Sequence, residues 1–396
     1  MQRAFITGAT GFIGGRLAEL LHERHVPVTA LVRSWSRAAG LARLGLTMKL
    51  GDIIDPDSLR SAMHGCDVVF HCAVDNRVGG DAHRRSSEDG TANVLRAALV
   101  AGVRRVVYLS SVAVHGYDPE PAAATEDAPA RHTGDAYCDG KTDAEKIARE
   151  FHRGRGLPVV VLRPTIVYGP FGSWTVDTLA AVRERRMVLI DGGQGVCNSL
   201  YVDNLIEAML AAADCADAIG EVFNISDAQP VTWRAFIEAH ANALRETHSP
   251  LPEMSAAEIN AARDRLRRAQ RRPSTVARTM ALMRNPNVRA TLREIPLVDR
   301  SVELSKTVAR GILPPPMRRW IRRNVLDERQ PTIADARSTI VIPSEAEQRI
   351  QASRVVFSIE KARRILGYEP TIDFREGMRR TRTWIEWARL SEASAG

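Results

Sequence analysis

Thr7-Gly8-Ala9-Thr10-Gly11-Phe12-Ile13-Gly14 follows the apolar run Arg3-Ala4-Phe5-Ile6 and opens a helix-forming stretch over residues 14–24. Its three glycines fall at GxxGxxG spacing between a strand and a helix. Glycine at these places permits a tight turn, lets the backbone approach a pyrophosphate, and allows close helix–strand packing. The helix N-terminus adds free N–H groups and the positive end of its dipole. The strand before and the helix after are what turn a weak glycine pattern into a dinucleotide-binding turn.

The pattern continues outward from this turn. Apolar, strand-like runs at 3–7, 28–32, 47–50, 68–71, 106–109 and 159–163 alternate with helix-like segments at 14–24, 56–63, 87–101 and 137–155. Continuous apolar runs separated by helices predict a doubly wound parallel sheet, buried on both faces. A helix is expected at 204–213, a short strand at 222–225, and closing helices at 358–367 and 374–388. The expected division is a dinucleotide-binding domain over 1–170, with closing elements from 200–226, and a smaller substrate lobe over 171–249 and 348–396.

Between them, residues 250–347 break the α/β rhythm as a basic, helix-prone insertion. Arginines crowd there: Arg263, Arg265, Arg267, Arg268, Arg271 and Arg272, then Arg318, Arg319, Arg322 and Arg323. Ile312, Leu313, Met317, Trp320, Ile321 and Val325 recur among them at roughly helical spacing, just after and around Pro314-Pro315-Pro316. Such a stripe suits a helix packed on the protein itself with snorkelling arginines, or one lying against a membrane surface.

The chain has 396 residues, 44% hydrophobic and 26% charged, with a net charge of +8. This composition excludes collagen-like and disordered classes. Five cysteines without a CxxC pair argue against a disulfide framework and a zinc ribbon, so no metal is expected. No apolar run approaches the roughly 20 residues that span a bilayer. A cytoplasmic protein is expected, with peripheral membrane contact through 250–347 left open.

Two further patterns carry chemistry. The second strand ends Ala30-Leu31-Val32-Arg33-Ser34, without an acid to hold a ribose 2′-hydroxyl. Arg33, helped by Arg37, can instead pair a 2′-phosphate, which favours NADP over NAD. Tyr137-Cys138-Asp139-Gly140-Lys141 sets a phenol and an ammonium four residues apart, on one helix face. A cation beside a phenol lowers its pKa, so Tyr137 is the expected acid/base and Lys141 its helper. Ser110 and Ser111 end the strand before, where ligands of such sheets bind; Ser111 can hold a reacting oxygen against Tyr137.

Together these residues resemble the extended short-chain dehydrogenase/reductase family, of the epimerase/dehydratase type. The resemblance covers most of 1–230 and returns at Lys361-Ala362-Arg363-Arg364-Ile365-Leu366-Gly367-Tyr368-Glu369-Pro370. It implies a Rossmann sheet, and a cofactor site of Gly8, Thr10, Gly11, Phe12, Ile13, Gly14, Arg33, Asp52, Ile53, Ala73, Ser110, Tyr137, Lys141, Pro164 and Ile166. Gly51-Asp52-Ile53 resembles the loop that meets adenine, and His71-Cys72-Ala73 the strand end at the ribose. Gly90-Thr91-Ala92-Asn93-Val94-Leu95 is similar to the family's fourth helix, although Ser87 stands where asparagine is usual. In Arg163-Pro164-Thr165-Ile166-Val167-Tyr168-Gly169-Pro170, positions 164 to 166 are expected beside the nicotinamide. Tyr201-Val202-Asp203-Asn204 resembles the start of a later helix.

Departures from the family pattern narrow the chemistry. Ser111-Val112-Ala113-Val114-His115-Gly116 lacks the acids of the 4,6-dehydratases, and Ala113 replaces the glutamate of the decarboxylases. Cys197-Asn198-Ser199-Leu200 lacks the arginine with which many sugar-nucleotide enzymes hold their nucleotide. The first expectation is hydride transfer at a hydroxyl or carbonyl of a sugar-nucleotide-like substrate. Two alternatives stand beside it: a reductase or dehydrogenase of an apolar alcohol or ketone, as in the 3β-hydroxysteroid and dihydroflavonol branches, and a cofactor-sensing protein without catalysis. A small-molecule substrate and a homodimer are expected; nucleic acid is not, for no stacking platform or DNA-binding motif accompanies the arginines.

Overall fold

The computed structural model describes residues 1–74, 80–119, 124–244, 250–270 and 341–390, with side chains from 87 onward in the helix Gly80–Ala101 and up to 267 in the helix Ala256–Gln270. The first strand β1 (Ala4–Thr7) leads through the glycine turn into α1 (Phe12–Glu23). There follow β2 (Val28–Val32), α2 (Ala39–Arg43), β3 (Thr47–Leu50), α3 (Pro56–Met63), β4 (Val68–His71), α4 (Gly80–Ala101) and β5 (Arg105–Leu109). Next come α5 (Ala136–Arg155), β6 (Val159–Pro164), β7 (Ile166–Tyr168), α6 (Ser173–Arg183), β8 (Leu189–Ile190), β9 (Val196–Cys197), β10 (Ser199–Tyr201), α7 (Val202–Asp214) and β11 (Val222–Ile225).

Seven parallel strands form the central sheet in the order β11-β6-β5-β4-β1-β2-β3. The chain reverses its winding between β1 and β4, which leaves a crevice beyond their carboxyl ends. Alternation along each strand sends side chains to two cores. Ala4, Ile6 and Phe70 pack towards α1 and α7, while Phe5, Val69 and Tyr108 pack towards α3, α4 and α5. Burying one such phenylalanine contributes about 1.5–3 kcal/mol.

Local sequence explains where the helices begin. Asp55 caps α3 by accepting from the Asp57 and Ser58 amides, with Pro56 at the first turn. Asp135 caps α5 likewise, through the amides of Tyr137 and Cys138, and Gly156 closes that helix at φ +68°. One strand departs from expectation: β3 is largely exposed, because it is the sheet's edge, and of its residues only Met48 packs half-buried against the core.

The chain divides into two compact units, Met1–Ser255 with Pro343–Gly396, and Ala256–Ile342. The sheet and the expected substrate lobe thus share one unit. Of the second unit, the helix Ala256–Gln270 is described; the apolar and basic segment around Trp320 lies outside the described residues. All five cysteines are free thiols. No helix among the described residues is long and apolar enough to cross a membrane.

Candidate active site

The glycine turn builds a cradle that side chains would fill. Gly8 sits at φ +73°, and a Cβ there would lie 2.8 Å from the Ala73 amide nitrogen. A Cβ on Gly14 would lie 2.4 Å from the Gly8 carbonyl oxygen. Neither neighbour can yield, because both are backbone. Gly11 caps α1 without a side-chain hydrogen bond, and no acid stands in the first turn. The helix dipole therefore faces a groove of about 430 Å³ without a competing anion of its own. Gly8, Thr10, Gly11, Phe12, Ile13 and Gly14 line one side of this groove; Ile53, Cys72, Ala73 and Tyr137 line the other. Arg33 and Arg37 stand at its outer end beside Leu31. These residues fit a nicotinamide dinucleotide: a turn open to a pyrophosphate, apolar walls for the rings, and two arginines in the lining to meet its anionic groups. A hollow of about 520 Å³ on the outer side of the same turn runs along α1, past Arg16, Leu41 and Phe171, and does not reach Tyr137.

The floor of the groove is a short polar chain. His71 Nδ1 lies 2.8 Å from Thr7 Oγ1, and its Nε2 lies 3.2 Å from Thr91 Oγ1. Burial pushes the imidazole down to about 3, so it is neutral at working pH. Thr7 Oγ1 also accepts from the Ala73 amide at 3.3 Å, which ties the β4 end to the glycine turn. His71 thus supports the wall from beneath, and Cys72 and Ala73 face the groove.

Helix α5 carries the chemistry. Tyr137, Lys141 and Glu145 recur every four residues and share a face. Ser111 caps the 3₁₀ turn Val112–His115, its Oγ accepting from the Ala113 amide at 3.1 Å. Its hydroxyl stands beside Tyr137 in the same cavity and lowers the Tyr137 pKa in part. Lys141 Nζ donates to the Leu109 carbonyl at 2.9 Å and lies 5.8 Å over the Tyr108 ring. Burial lowers its pKa to about 8, while Cys72 and Glu145 pull the other way. The sequence led to a phenol acidified by Lys141. In the structure the Tyr137 pKa is raised: its hydroxyl loses hydration although the residue as a whole is 39% exposed, Ser111 offsets this only in part, and the Lys141 amine is turned to the strand end.

Three other expected site residues stand differently. The Ser110 hydroxyl donates to Glu145 at 2.7 Å inside the wall, so of the two serines only Ser111 reaches the cavity. Asp52 Oδ1 accepts from the Ile54 amide, shaping a loop of which Ile53 is the residue that lines the groove. Pro164 is buried in β6 and lines neither groove nor cavity, whereas Ile166 lines the cavity.

That cavity, about 130 Å³, opens on the other side of Tyr137 and had no clear sequence signal. Trp174 and Trp233 meet there at 5.7 Å, and the Trp233 indole is fixed by donating to the Ile350 carbonyl at 3.0 Å. Phe357, Ile166, Val112, Val196 and Ile350 add to its apolar lining. Asn198 is spent on the wall itself: Nδ2 donates to the Val355 carbonyl at 2.8 Å and Oδ1 accepts from the Phe357 amide at 3.1 Å. No Lys, Arg, Asp, Glu or His lines this cavity among the described residues.

A dinucleotide groove at the switch point of a doubly wound sheet, with a Ser–Tyr–Lys group at its inner end, defines an NAD(P)-dependent oxidoreductase. Within that class the chain belongs to the NAD dependent epimerase/dehydratase family, which its residues 4–226 match. It is 33% identical over 268 residues to the 4-hydroxy-2-methyl-3-oxo-4-farnesyl-3,4-dihydroquinoline-1-oxide ketoreductase of Stigmatella aurantiaca, covering 66% of this chain and 78% of that one. It is 29% identical to the 2-alkyl-3-oxoalkanoate reductase of Shewanella oneidensis, over 66% of this chain and 71% of that one. The fold is shared with the UDP-glucose 4-epimerase of Thermotoga maritima solved with UDP-glucose, at TM-score 0.66 and 17% identity, over 98% of this chain and 99% of that one.

Proposed function

We propose that the protein is an NADPH-dependent reductase of a ketone on an apolar substrate, with Tyr137 as acid/base. The observation that carries this reading is the aromatic cavity beside Tyr137, which no charged side chain lines among the described residues. A sugar nucleotide brings a diphosphate, and burying that charge without a cation is costly. For that reason we place the apolar ketone ahead of the sugar nucleotide. The two relatives named above are reductases named for substrates bearing farnesyl or alkyl groups, which supports the same choice.

In this account the bound nicotinamide supplies the hydride. Ser111 and Tyr137 hold the ketone oxygen at the shared corner of groove and cavity, and Tyr137 gives it a proton. Lys141, whose amine rests on the Leu109 carbonyl, is the cation that turns toward the phenolate as it forms. Arg33 and Arg37, with no acid at the end of β2, select the 2′-phosphate of NADP. The test is a series of ketones with lengthening alkyl or aryl tails, assayed with NADPH. Each buried methylene is worth about 0.8 kcal/mol, so kcat/KM should climb up to about fourfold per step until the cavity fills. Turnover of UDP-sugars with indifference to the apolar series would overturn the reading.

A further inference from the structure

Behind the reacting corner lies a buried ionic group that the proposed proton transfer does not itself use. Glu145 and Arg163 are 2% and 1% exposed. They meet in a two-pronged pair, Nη2 to Oε1 at 2.6 Å and Nε to Oε2 at 2.9 Å. Ser110 Oγ donates to the same Oε2 at 2.7 Å. On the far side, Arg163 Nη1 lies 3.2 Å from His115 Nε2, and the His115 ring stacks on Phe357 of the cavity wall. A sealed ion pair is a poor source of stability, since apolar residues of similar volume usually serve as well. Its position is more telling: Glu145 follows Lys141 by one turn on the same face of α5, and its partner Ser110 adjoins Ser111.

We propose that Glu145 is a positioning residue of the reaction: its carboxylate holds Lys141 as a cation in the dry pocket and, through Ser110 and Arg163, fixes the strand end that carries Ser111. Among the described residues, the groups around Lys141 leave this task to Glu145. His71 on β4 is neutral, the neighbouring Cys72 thiol is pushed up to about 12 by burial, and burial likewise keeps Tyr108 of β5 protonated. Tyr137 on α5 is protonated at rest, and the α4 residues at this pocket, Ser87 and Thr91, are uncharged. Arg163 of β6 stands behind Glu145 and moderates its field. The direct hydrogen bond of Lys141 goes to a neutral carbonyl, which cannot offset the loss of hydration of an ammonium.

The proposal rests on Tyr137 and Lys141 being the catalytic pair, and two substitutions in the full chain separate charge from shape. Glu145→Gln keeps the shape and loses the charge; Glu145→Asp keeps the charge and shortens the reach. In kcat/KM profiles with NADPH and an apolar ketone, the Gln variant should lose its alkaline limb about one pH unit earlier than the parent. The Asp variant should keep that limb in place, whatever its overall rate. Equal limbs in parent and Gln variant would overturn the proposal. A second readout needs no substrate: trace acetylation of amines across pH, with Lys141 read by mass spectrometry. Lys141 should titrate near the parent value of about 8 in the Asp variant and lower in the Gln variant. If the Gln variant fails to fold, Glu145→Gln with Arg163→Leu replaces it, leaving no orphaned guanidinium. Unchanged Lys141 labelling there overturns the coupling. A labelling shift in a protein that turns over no ketone supports the coupling and counts against the reductase reading instead.

Discussion

Replacing Lys141 by methionine should stabilise the protein while abolishing turnover. The amine is buried, and its pKa falls from 10.5 to about 8. Below pH 8 both the folded and unfolded chains carry the proton, and the folded chain bears the whole cost of burying it. Between about pH 8 and 10.5 the unfolded chain binds more protons, so stability rises with pH. Above that window no difference remains to be gained. At about 1.36 kcal/mol per pH unit, the cost at pH 7 is roughly 3 kcal/mol. Methionine keeps most of the apolar stem but gives up the bond to the Leu109 carbonyl, worth about 1 kcal/mol. The net gain at pH 7 is about 2 kcal/mol, or a few degrees in Tm for a chain of this size. Urea unfolding of parent and variant at pH 7 and pH 9.5 measures it. The gain should shrink at the higher pH, where the parent has already shed the proton. A Lys141→Met protein less stable than the parent at pH 7, or a gain independent of pH, would refute the reasoning.

The remaining predictions concern the groove and the proton. Tyr137→Phe removes the phenol oxygen alone, and should cut turnover by about two to four orders of magnitude while NADP still binds, as stopped-flow and fluorescence titration would show. Arg33→Asp should weaken NADP by roughly one to two decades and NAD little, because one charge-assisted pair is lost; equal affinity of the parent for both cofactors would contradict the role given to Arg33. Gly14→Ala drives a methyl group to 2.4 Å from the Gly8 carbonyl, so it should abolish cofactor binding by distorting the turn, measured by the same titration.

The sequence made the sheet and the glycine turn readable because both are local. Buried strands show as apolar runs, and a turn that only glycine fits shows as glycine. Tyr137 and Lys141 were readable as a pair on the same grounds, since a four-residue spacing needs no partner, whereas the Asp135 cap was not read. What lay beyond reach depended on direction or on distance. Ser110 and Ser111 are chemically equal in sequence, yet neighbouring residues of an extended strand point opposite ways, so one faces Glu145 and the other Tyr137. The behaviour of the phenol turned on where the Lys141 amine points, which the spacing does not say. The cavity wall joins Val112, Trp174, Trp233 and Phe357 from four distant segments, and each alone reads as an ordinary core residue. The exposure of β3 followed from strand order, which a single run cannot reveal.

The central claim is net reduction of an apolar ketone by NADPH at Tyr137, and the fate of the hydride tests it most directly. The protein is incubated with NADPH deuterated at the transferring C4 position and an apolar ketone, and the products are weighed by mass spectrometry. The account predicts one deuterium on the carbinol carbon for each NADPH oxidised, with the Tyr137→Phe protein yielding almost none. No deuterated alcohol and no NADPH consumed, together with epimerisation of a UDP-sugar by cofactor already bound to the purified protein, would contradict it.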